Sequence, residues 1–350
     1  MKNIWDDKMI KNSLLISGGN LKSGIGRYAW NLYNLNILEN FCHFSYNGKS
    51  DFETYISQTN SWFVNTVISY YFGGIYKKYI LKYNFIHAAS PSLFHLVKYN
   101  KNMVGTIHDL FPLKYEYPYF FKKFWEKNMK YVIFLRSIIT ISDYMKFELQ
   151  EKFKDIEFTR IHHWVDDRVF RIRDKLESRI KLGLKEDKIY LLNVGGNVDR
   201  KNISLLPNIM NKLDERFILV RIGKSENIYS RFKNKNNVLI LENVSDNEFP
   251  LYYNASDLLI HTSIDGGFEY PYIEAITSNL NVISFDMPIS REVLRDKGIF
   301  IPLINKDDPT EWVDAILKNY GKKPDYGELI EYYRPERAKR EYEKFYSSLI

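Results

Sequence analysis

Short apolar segments alternate with longer amphipathic segments along almost the whole chain. The short segments are rich in Ile, Val, Leu and Phe, which is typical of strands buried on both faces of a parallel sheet. The longer segments predict helices between these strands. Regular alternation of strand and helix therefore predicts an α/β fold, in which helices cover both faces of parallel sheets.

The strands are predicted in two consecutive series. The first series is Leu14–Ile16, Phe41–Tyr46, Phe85–Ala89, Met103–Ile107, Ile138–Ile141 and Phe158–His162. The second series is Ile189–Val194, Phe217–Ile222, Val238–Leu241, Leu258–His261, Val282–Phe285 and Ile299–Ile301. The predicted helices are Tyr28–Leu38, Pro118–Phe134, Asp143–Phe153, Ser204–Leu213, Glu248–Ala255, Tyr272–Ser278, Thr310–Tyr320 and Pro335–Leu349.

Two domains are predicted from this pattern. Twelve strands are too many for one compact open sheet in a chain of this length, so each series should form its own doubly wound domain. The length of 350 residues agrees, since one domain takes about 150 residues. The polar stretch Arg171–Lys175 separates the two series. We place the first domain at residues 1–170, the second at 171–330 and a charged amphipathic helix at 331–350.

Composition excludes several classes of protein. Hydrophobic residues make up 45% and charged residues 27%, as in ordinary globular domains, which excludes disorder and fibrous repeats. The single cysteine, Cys42, excludes a disulfide framework and a cysteine-based zinc cluster. The chain has no apolar run of transmembrane length, and residues 1–8 lack the apolar core of a signal peptide. A cytoplasmic protein is expected.

Charge and aromatic content add one open question. The net charge of +7 is spread along the chain rather than concentrated, so we attribute it mainly to residue usage and expect no nucleic-acid partner. The segment Tyr117–Lys127 mixes aromatic and basic residues. Such a helix can lie on an anionic membrane, or it can be a core helix whose lysines reach the solvent.

Two segments of the first domain are candidates for ligand binding. Gly24 and Gly26 lie between the first strand and a helix, where glycines let a phosphate approach backbone N–H groups; a plain connecting loop is the alternative. They do not complete a G-x-G-x-x-G fingerprint. His108 ends a strand, as does His87, and the carboxyl ends of parallel strands are where ligands bind. A histidine there can hold a sugar hydroxyl or move a proton.

The second domain has a stronger candidate in the segment Asn193–Asn202. Gly195 and Gly196 follow its first strand, and the adjacent cations Arg200 and Lys201 come just before a helix. Backbone donors, a helix dipole and fixed charge all favour a diphosphate at such a position. The alternative is a solvated pair of surface charges.

A further segment, Asp265–Ala275, leads from a strand into a helix. Pro271 suits the first helical turn. Glu274 is expected near that turn, facing the ligand crevice, where a carboxylate can accept hydrogen bonds from two ribose hydroxyls. Alternatively it satisfies free N–H groups at the start of the helix. The sequence contains no D-x-D or H-E-x-x-H motif, so no metal site is predicted.

Taken in order, these segments resemble the retaining family 4 glycosyltransferases. The matching segments are Gly24–Tyr28, a glycine loop; His108–Pro112, an H-D-x-x-P motif; Gly195–Asn202, a G-x(4)-R-K-N motif; and Gly267–Ala275, a G-F-G-x-P-x-x-E-A signature. The resemblance covers nearly the whole chain. It implies the GT-B fold, with two Rossmann-like domains facing across a cleft and a C-terminal helix that returns to the first domain.

The resemblance also implies an activity: transfer of a hexose from a UDP- or GDP-linked donor to a glycan, lipid-linked or protein-linked acceptor, with retention at the anomeric carbon. No metal and no cofactor beyond the donor are implied, and relatives of this kind support a peripheral membrane location. The residues assigned to donor binding are Gly24, Gly26, Gly196, Arg200, Lys201, Tyr270 and Glu274, and those assigned to catalysis are His108, Asp265 and Glu269.

One departure from the family signature concerns a carboxylate. The family has two glutamates separated by seven residues, but the position eight before Glu274 is Gly266. Glu269 in turn replaces the usual glycine after Phe268. Either Asp265 or Glu269, or neither, supplies the missing carboxylate. Two other functions therefore remain open: a nucleotide-sugar epimerase of the same fold, and a descendant that binds nucleotides without catalysis.

Overall fold

The structure is a computed structural model that describes residues 9–18, 23–44, 77 and 80–349. The chain divides into two compact units. The first unit comprises Met1–His163 together with Pro335–Ile350, and the second comprises Trp164–Arg334. These limits lie a few residues from the domain limits placed at 170 and 330 from the sequence. Residues Ser45 and Tyr46 of one predicted strand lie outside the described residues.

Each unit is built on a parallel sheet. In the first unit the strands are β1 Ile10–Gly18, β2 Leu38–Phe44, β3 Phe85–Ala88, β4 Met103–Ile107, β5 Ser137–Thr140 and β6 Phe158–Arg160. In the second unit they are β7 Ile189–Val194, β8 Phe217–Ile222, β9 Val238–Leu241, β10 Leu258–His261, β11 Val282–Phe285 and β12 Ile299–Ile301. The orders are β2-β1-β3-β4-β5-β6 and β12-β11-β10-β7-β8-β9. The predicted α/β fold with two doubly wound sheets is confirmed.

Helices connect the strands in both units. In the first unit they span Gly24–Tyr33, Phe111–Lys114, Tyr119–Met129, Asp143–Lys152 and Pro335–Ser347. In the second they span Lys175–Lys181, Leu205–Met210, Glu226–Tyr229, Phe249–Ala255, Tyr270–Thr277, Pro288–Leu294, Thr310–Asn319 and Glu328–Tyr332. Short 3₁₀ turns occupy Pro91–Lys98, Lys130–Phe134, Asp199–Lys201, Lys235–Asn237 and Leu303–Asn305. None of the helices in the described ranges is long and apolar enough to cross a membrane.

The first helix corrects the predicted range Tyr28–Leu38. It begins at Gly24 because Ser23 caps it, with the Ser23 hydroxyl accepting a hydrogen bond from the Gly26 N–H at 3.1 Å. The helix ends at Tyr33, and Asn36 then adopts a left-handed conformation with φ of 54°. Asparagine tolerates that conformation and turns the chain into β2. Gly24 and Gly26 therefore belong to a helical turn rather than to a loop.

The C-terminal helix Pro335–Ser347 is fastened within the first unit by buried polar groups. The Tyr342 hydroxyl lies 2.8 Å from that of Tyr28, and the Tyr346 hydroxyl lies 2.5 Å from His87 Nδ1. The Arg337 guanidinium donates to the main-chain carbonyls of His162 and His163, at 3.1 and 2.9 Å. Buried polar groups that are fully hydrogen-bonded specify one packing arrangement.

The helix Tyr119–Met129 has two different faces. Phe124 and Trp125 are buried, as in a core helix. Tyr119 and Phe120 are 67% and 73% exposed, and Lys123 lies beside Tyr119 with its ammonium 5.8 Å from the ring centroid. The segment therefore combines a core-facing side with exposed aromatic and basic side chains.

Candidate functional site

Two segments of the second unit meet at the carboxyl edge of its sheet, the edge where open α/β sheets bind ligands. One segment follows β7 and runs through Gly195 to Lys201; the other follows β10 and enters the helix Tyr270–Thr277. Main-chain contacts join them, because the Arg200 carbonyl accepts from the Ile264 N–H at 2.8 Å and the Lys201 carbonyl accepts from the Thr262 hydroxyl at 2.8 Å. The two cations are therefore held in a fixed place.

The Glu269 carboxylate lies at the centre of this site, and its side chain is only 6% exposed. It accepts a hydrogen bond from the Lys201 ammonium. Arg200 Nη1 lies 3.7 Å from Oε1, and His261 Nε2 lies 3.2 Å from Oε2. The Ser263 hydroxyl oxygen lies 3.3 Å from Oε1. Arg200 and Lys201 belong to one sequence motif and Glu269 to another, and the structure brings the two motifs together.

Charge in this cluster is unequal. Burial alone would raise the pKa of Glu269, but the charge of Lys201, the contact with His261 and the charge of Arg200 hold that pKa well below its usual range. Burial lowers the pKa of His261, so its imidazole is neutral at pH 7. Two cationic side chains, those of Arg200 and Lys201, thus meet the single carboxylate of Glu269. An anionic ligand is favoured at such a point.

The Glu269 side chain lies next to Gly266, in the space that a side chain at position 266 would occupy. A Cβ atom at position 266 would lie 2.2 Å from Glu269 Oε1 and 2.8 Å from its Cδ, so a side chain at 266 would enter the space that this carboxylate fills. Glu269 has φ of 70°, a left-handed conformation that favours glycine. A non-glycine residue in such a conformation costs about 1–2 kcal/mol, and strain of this kind concentrates at functional sites.

Asp265 contributes differently. Its main-chain carbonyl accepts hydrogen bonds from the Ser263 hydroxyl at 2.9 Å and from Arg200 Nη1 at 3.3 Å. It therefore helps to position Arg200 through the backbone. The Glu269 side chain, the other candidate carboxylate, contacts both cations directly.

Glu274 does not face an open crevice, in contrast to the expectation from its place in the sequence. The side chain is fully buried, and its carboxylate accepts a hydrogen bond from the Tyr253 hydroxyl. The helix starts at Tyr270, two residues earlier than predicted, with Pro271 in its first turn. Glu274 is consequently in the body of the helix, and Tyr270 at its start is also buried.

Several site residues are missed by the sequence analysis. His261 is the last residue of β10, much as His108 directly follows β4, and this position at a strand end is the available signal. Ser263 had no signal beyond its closeness to Asp265. Arg221 lies inside the apolar strand β8, where the surrounding residues predict a buried strand and nothing indicates a site residue.

His108, in the first unit, is buried and neutral. Its Nε2–H donates to the Ala89 carbonyl at 2.8 Å, which leaves Nδ1 as the lone-pair nitrogen of the ring. Burial lowers its pKa to about 4. The His108 ring packs edge-on against Tyr28, with centroids 4.7 Å apart, and stacks on His163 at 5.4 Å. At neutral pH it can accept a hydrogen bond at Nδ1.

Acid should destabilise this region. Burial lowers the pKa of His87 to about 3 and that of His108 to about 4, from an ordinary value of 6.5. In the unfolded chain both rings take up a proton near pH 6.5, while in the folded chain they remain neutral. The free energy of unfolding should therefore fall as the pH drops from about 6.5 towards 4, by at most about 1.4 kcal/mol per pH unit for each ring. Above pH 6.5 these rings add no dependence.

Urea denaturation at several pH values checks this expectation. The variant His87→Gln removes one of these buried rings and should flatten the slope between pH 6.5 and 4. An unchanged slope would show that the buried rings do not govern acid stability.

Comparison with known proteins finds a family that the second unit resembles. Residues 174–334 match the model of the family of glycosyl transferases group 1, and the match covers nearly all of that unit. The chain is also 28% identical over 240 residues to the O-antigen chain mannosyltransferase RfbU of Salmonella typhimurium. That alignment covers 66% of this chain and 64% of the relative, so this chain spans less than two thirds of it.

Solved structures show the fold of the whole chain. Sucrose-phosphate synthase from Thermosynechococcus elongatus is 16% identical with a TM-score of 0.77, over 97% of this chain and 99% of that one. Anabaena Alr3699/HepE, in complex with UDP and glucose, is 12% identical with a TM-score of 0.76, over 96% and 99%. WaaG, a glycosyltransferase involved in lipopolysaccharide biosynthesis, is 16% identical with a TM-score of 0.66, over 94% of each chain. The predicted GT-B fold is confirmed.

Proposed function

We propose that the protein is a glycosyltransferase that moves a hexose from a UDP- or GDP-linked donor to a glycan acceptor, with retention and without a metal. The observation that carries the proposal is the buried cluster of Arg200 and Lys201 around Glu269, beside a glycine loop at the carboxyl edge of the second sheet. It provides two cations and backbone N–H groups, which together suit a diphosphate.

The relatives agree with this chemistry. One is a mannosyltransferase by name, and a structural neighbour was solved with UDP and glucose. In the proposed reaction the bond between the anomeric carbon and the diphosphate oxygen breaks, and the acceptor hydroxyl oxygen bonds to that carbon. The acceptor's proton leaves with the departing phosphate. Negative charge grows on the diphosphate as the bond breaks, and cations already in place stabilise that charge most effectively.

Glu269 is assigned the role of the carboxylate that the family signature has eight residues before Glu274. Its carboxylate fills the space into which a side chain at position 266 would point. The carboxylate reaches this space from backbone position 269 instead of 266, and the left-handed conformation of Glu269 makes that possible. We assign it to hydrogen bonds with hydroxyl groups of the donor sugar, which its ionised state favours.

His108 and Glu274 are assigned supporting roles in donor binding. The lone pair on His108 Nδ1 suits a sugar hydroxyl, because the ring is neutral and Nε2–H is already used by Ala89. Glu274 is assigned to the ribose, on the resemblance of its segment to the family signature. For that contact the Glu274 carboxylate has to become accessible, with ribose hydroxyls replacing or joining Tyr253 as its partner.

A lipid-linked acceptor and peripheral membrane contact are part of the same proposal. The exposed rings of Tyr119 and Phe120 lie on a helix that also carries Lys122 and Lys123, and exposed aromatic side chains among lysines suit the surface of an anionic membrane. This face of the helix supports the membrane alternative that the sequence left open beside a core helix.

Activity should survive chelators, since the charge that a metal would supply is provided by Arg200 and Lys201. Release of UDP or GDP from a panel of nucleotide sugars, measured with and without EDTA, checks this expectation. The expected result is equal rates. Loss of turnover in EDTA that magnesium or manganese restores would contradict it.

A further inference from the structure

Arg221 is a buried cation on the sheet that carries the proposed diphosphate site. It lies near the carboxyl end of β8, in the second unit, and is 1% exposed. Burial lowers its pKa to about 10, which still leaves it protonated at neutral pH. Moving a charge out of water costs several kcal/mol unless other groups compensate. The position therefore calls for an explanation beyond packing.

Its partners are neutral. The guanidinium donates to the carbonyls of Gly195 at 2.7 Å, Gly196 at 3.2 Å and Ile222 at 3.0 Å. Its Nε–H donates to the Ser225 hydroxyl at 3.1 Å. Within the described parts of the chain, no carboxylate is hydrogen-bonded or ion-paired to it. The charge of Arg221 is thus solvated by carbonyl dipoles and is not neutralised.

The contacts with Gly195 and Gly196 fix the direction of the loop. In a trans peptide the C=O and the N–H of the same unit point in opposite directions. Because both carbonyls point at Arg221, the N–H groups of Gly196 and Asn197 point away from it. Gly223 closes the same side: it has φ of 129°, and a Cβ atom there would lie 2.1 Å from the Gly195 oxygen.

We propose that Arg221 is a positioning residue for the diphosphate of the donor, an inference that rests on the proposed function. It holds two carbonyls on its own side of the loop and so presents the N–H group of Gly196 to the phosphates. It also adds an uncompensated charge near Lys201, whose pKa its field lowers further, after burial and Arg200. A bound diphosphate supplies the negative charge that the unliganded loop lacks.

Calorimetric titration with UDP, GDP, uridine and guanosine tests the proposal. Arg221→Met removes the fork and the charge but keeps most of the volume. It should weaken diphosphate binding about tenfold or more, equivalent to about 1.4 kcal/mol, and change nucleoside binding less than about twofold. Arg221→Lys keeps the charge but cannot hold both carbonyls, so its diphosphate affinity should fall between those of the wild type and Arg221→Met.

A matched control separates positioning from stability. Arg179 is also buried in the second unit; it donates to the carbonyls of Ala255 and Glu186, at 2.9 and 2.7 Å, and pairs with Asp257 at 2.8 Å rather than with the glycine loop. Arg179→Met should lower the melting temperature and leave the ratio of diphosphate to nucleoside affinity unchanged. If Arg221→Met does not fold, Ser225→Ala loosens the guanidinium without removing it and should weaken diphosphate binding about two- to fivefold.

The outcomes distinguish this inference from the function on which it rests. If the wild type binds neither diphosphate, both are overturned. If Lys201→Ala weakens diphosphate binding but folded Arg221→Met and Ser225→Ala do not, only the role of Arg221 is overturned. Equal losses of nucleoside and diphosphate affinity in Arg221→Met would likewise reduce Arg221 to a purely structural residue.

Discussion

Replacing Glu269 with glycine should lower kcat/KM for sugar transfer about a hundredfold, and the exchange G266E/E269G should recover much of that loss. The single change removes an ionised group that is held by Lys201 and His261. Charged hydrogen bonds to a substrate are worth about 1.5–3 kcal/mol each, which is roughly 10- to 100-fold in rate. The double change returns a carboxylate to the same space from position 266.

The double variant should be more stable than the single variant. Glu269→Gly leaves Lys201 buried without its carboxylate, which costs several kcal/mol, while the left-handed position becomes free of strain. G266E/E269G restores a counter-ion and keeps the relief of strain, so it should melt above the single variant. Asp265→Asn is the discriminating comparison. If it matches the loss in Glu269→Gly, or if the double variant stays inactive although folded, the relocation of the carboxylate is wrong.

Removing the Lys201 ammonium should weaken binding of a nucleoside diphosphate about ten- to a hundredfold, and leave the nucleoside nearly unaffected. The Lys201 side chain is 12% exposed and is held beside Glu269, so its positive charge acts at one fixed point of the site. Glu274→Ala should act differently. If Glu274 holds the ribose, nucleoside and diphosphate should lose affinity to the same extent.

Calorimetry on Lys201→Ala and Glu274→Ala with both ligands separates the two roles. The burial of Glu274 against Tyr253 makes a second outcome informative: a lower melting temperature with unchanged nucleotide affinity would mean that Glu274 only stabilises its helix. Tyr253→Phe is the matched control, because it removes the hydroxyl partner and leaves the carboxylate. Equal losses for both ligands in Lys201→Ala would contradict the phosphate assignment.

Much of the fold follows from local sequence. The sequence predicts the strand Met103–Ile107 to the residue, because an apolar segment buried on both faces is bounded by polar residues. It misplaces the helix Gly24–Tyr33. Capping by Ser23 sets the start of this helix, and the left-handed Asn36 ends the turn that follows it. Neither effect is visible in the spacing of apolar residues. Burial drives the strands, whereas single hydrogen bonds and backbone conformations set the ends of helices.

The site is predictable in its parts but not in its assembly. Arg200 and Lys201 stand out by charge beside a glycine loop. That Glu269 meets them depends on a left-handed φ and on the space left by Gly266, which only the folded chain shows. Arg221 cannot be recognised from the sequence for a different reason. It contacts the main-chain carbonyls of Gly195 and Gly196, and contacts with main-chain atoms are not indicated by the type of residue.

Incubation of the wild-type protein with labelled UDP- and GDP-hexoses, together with a mixture of glycan and lipid-linked acceptors, tests the central claim most directly. We expect release of UDP or GDP from at least one donor, with the label appearing on an acceptor in the same anomeric configuration. Interconversion of the sugar without release of the nucleotide would indicate an epimerase, and binding without turnover would indicate a non-catalytic descendant. Failure of every nucleotide sugar to bind or react would contradict the account.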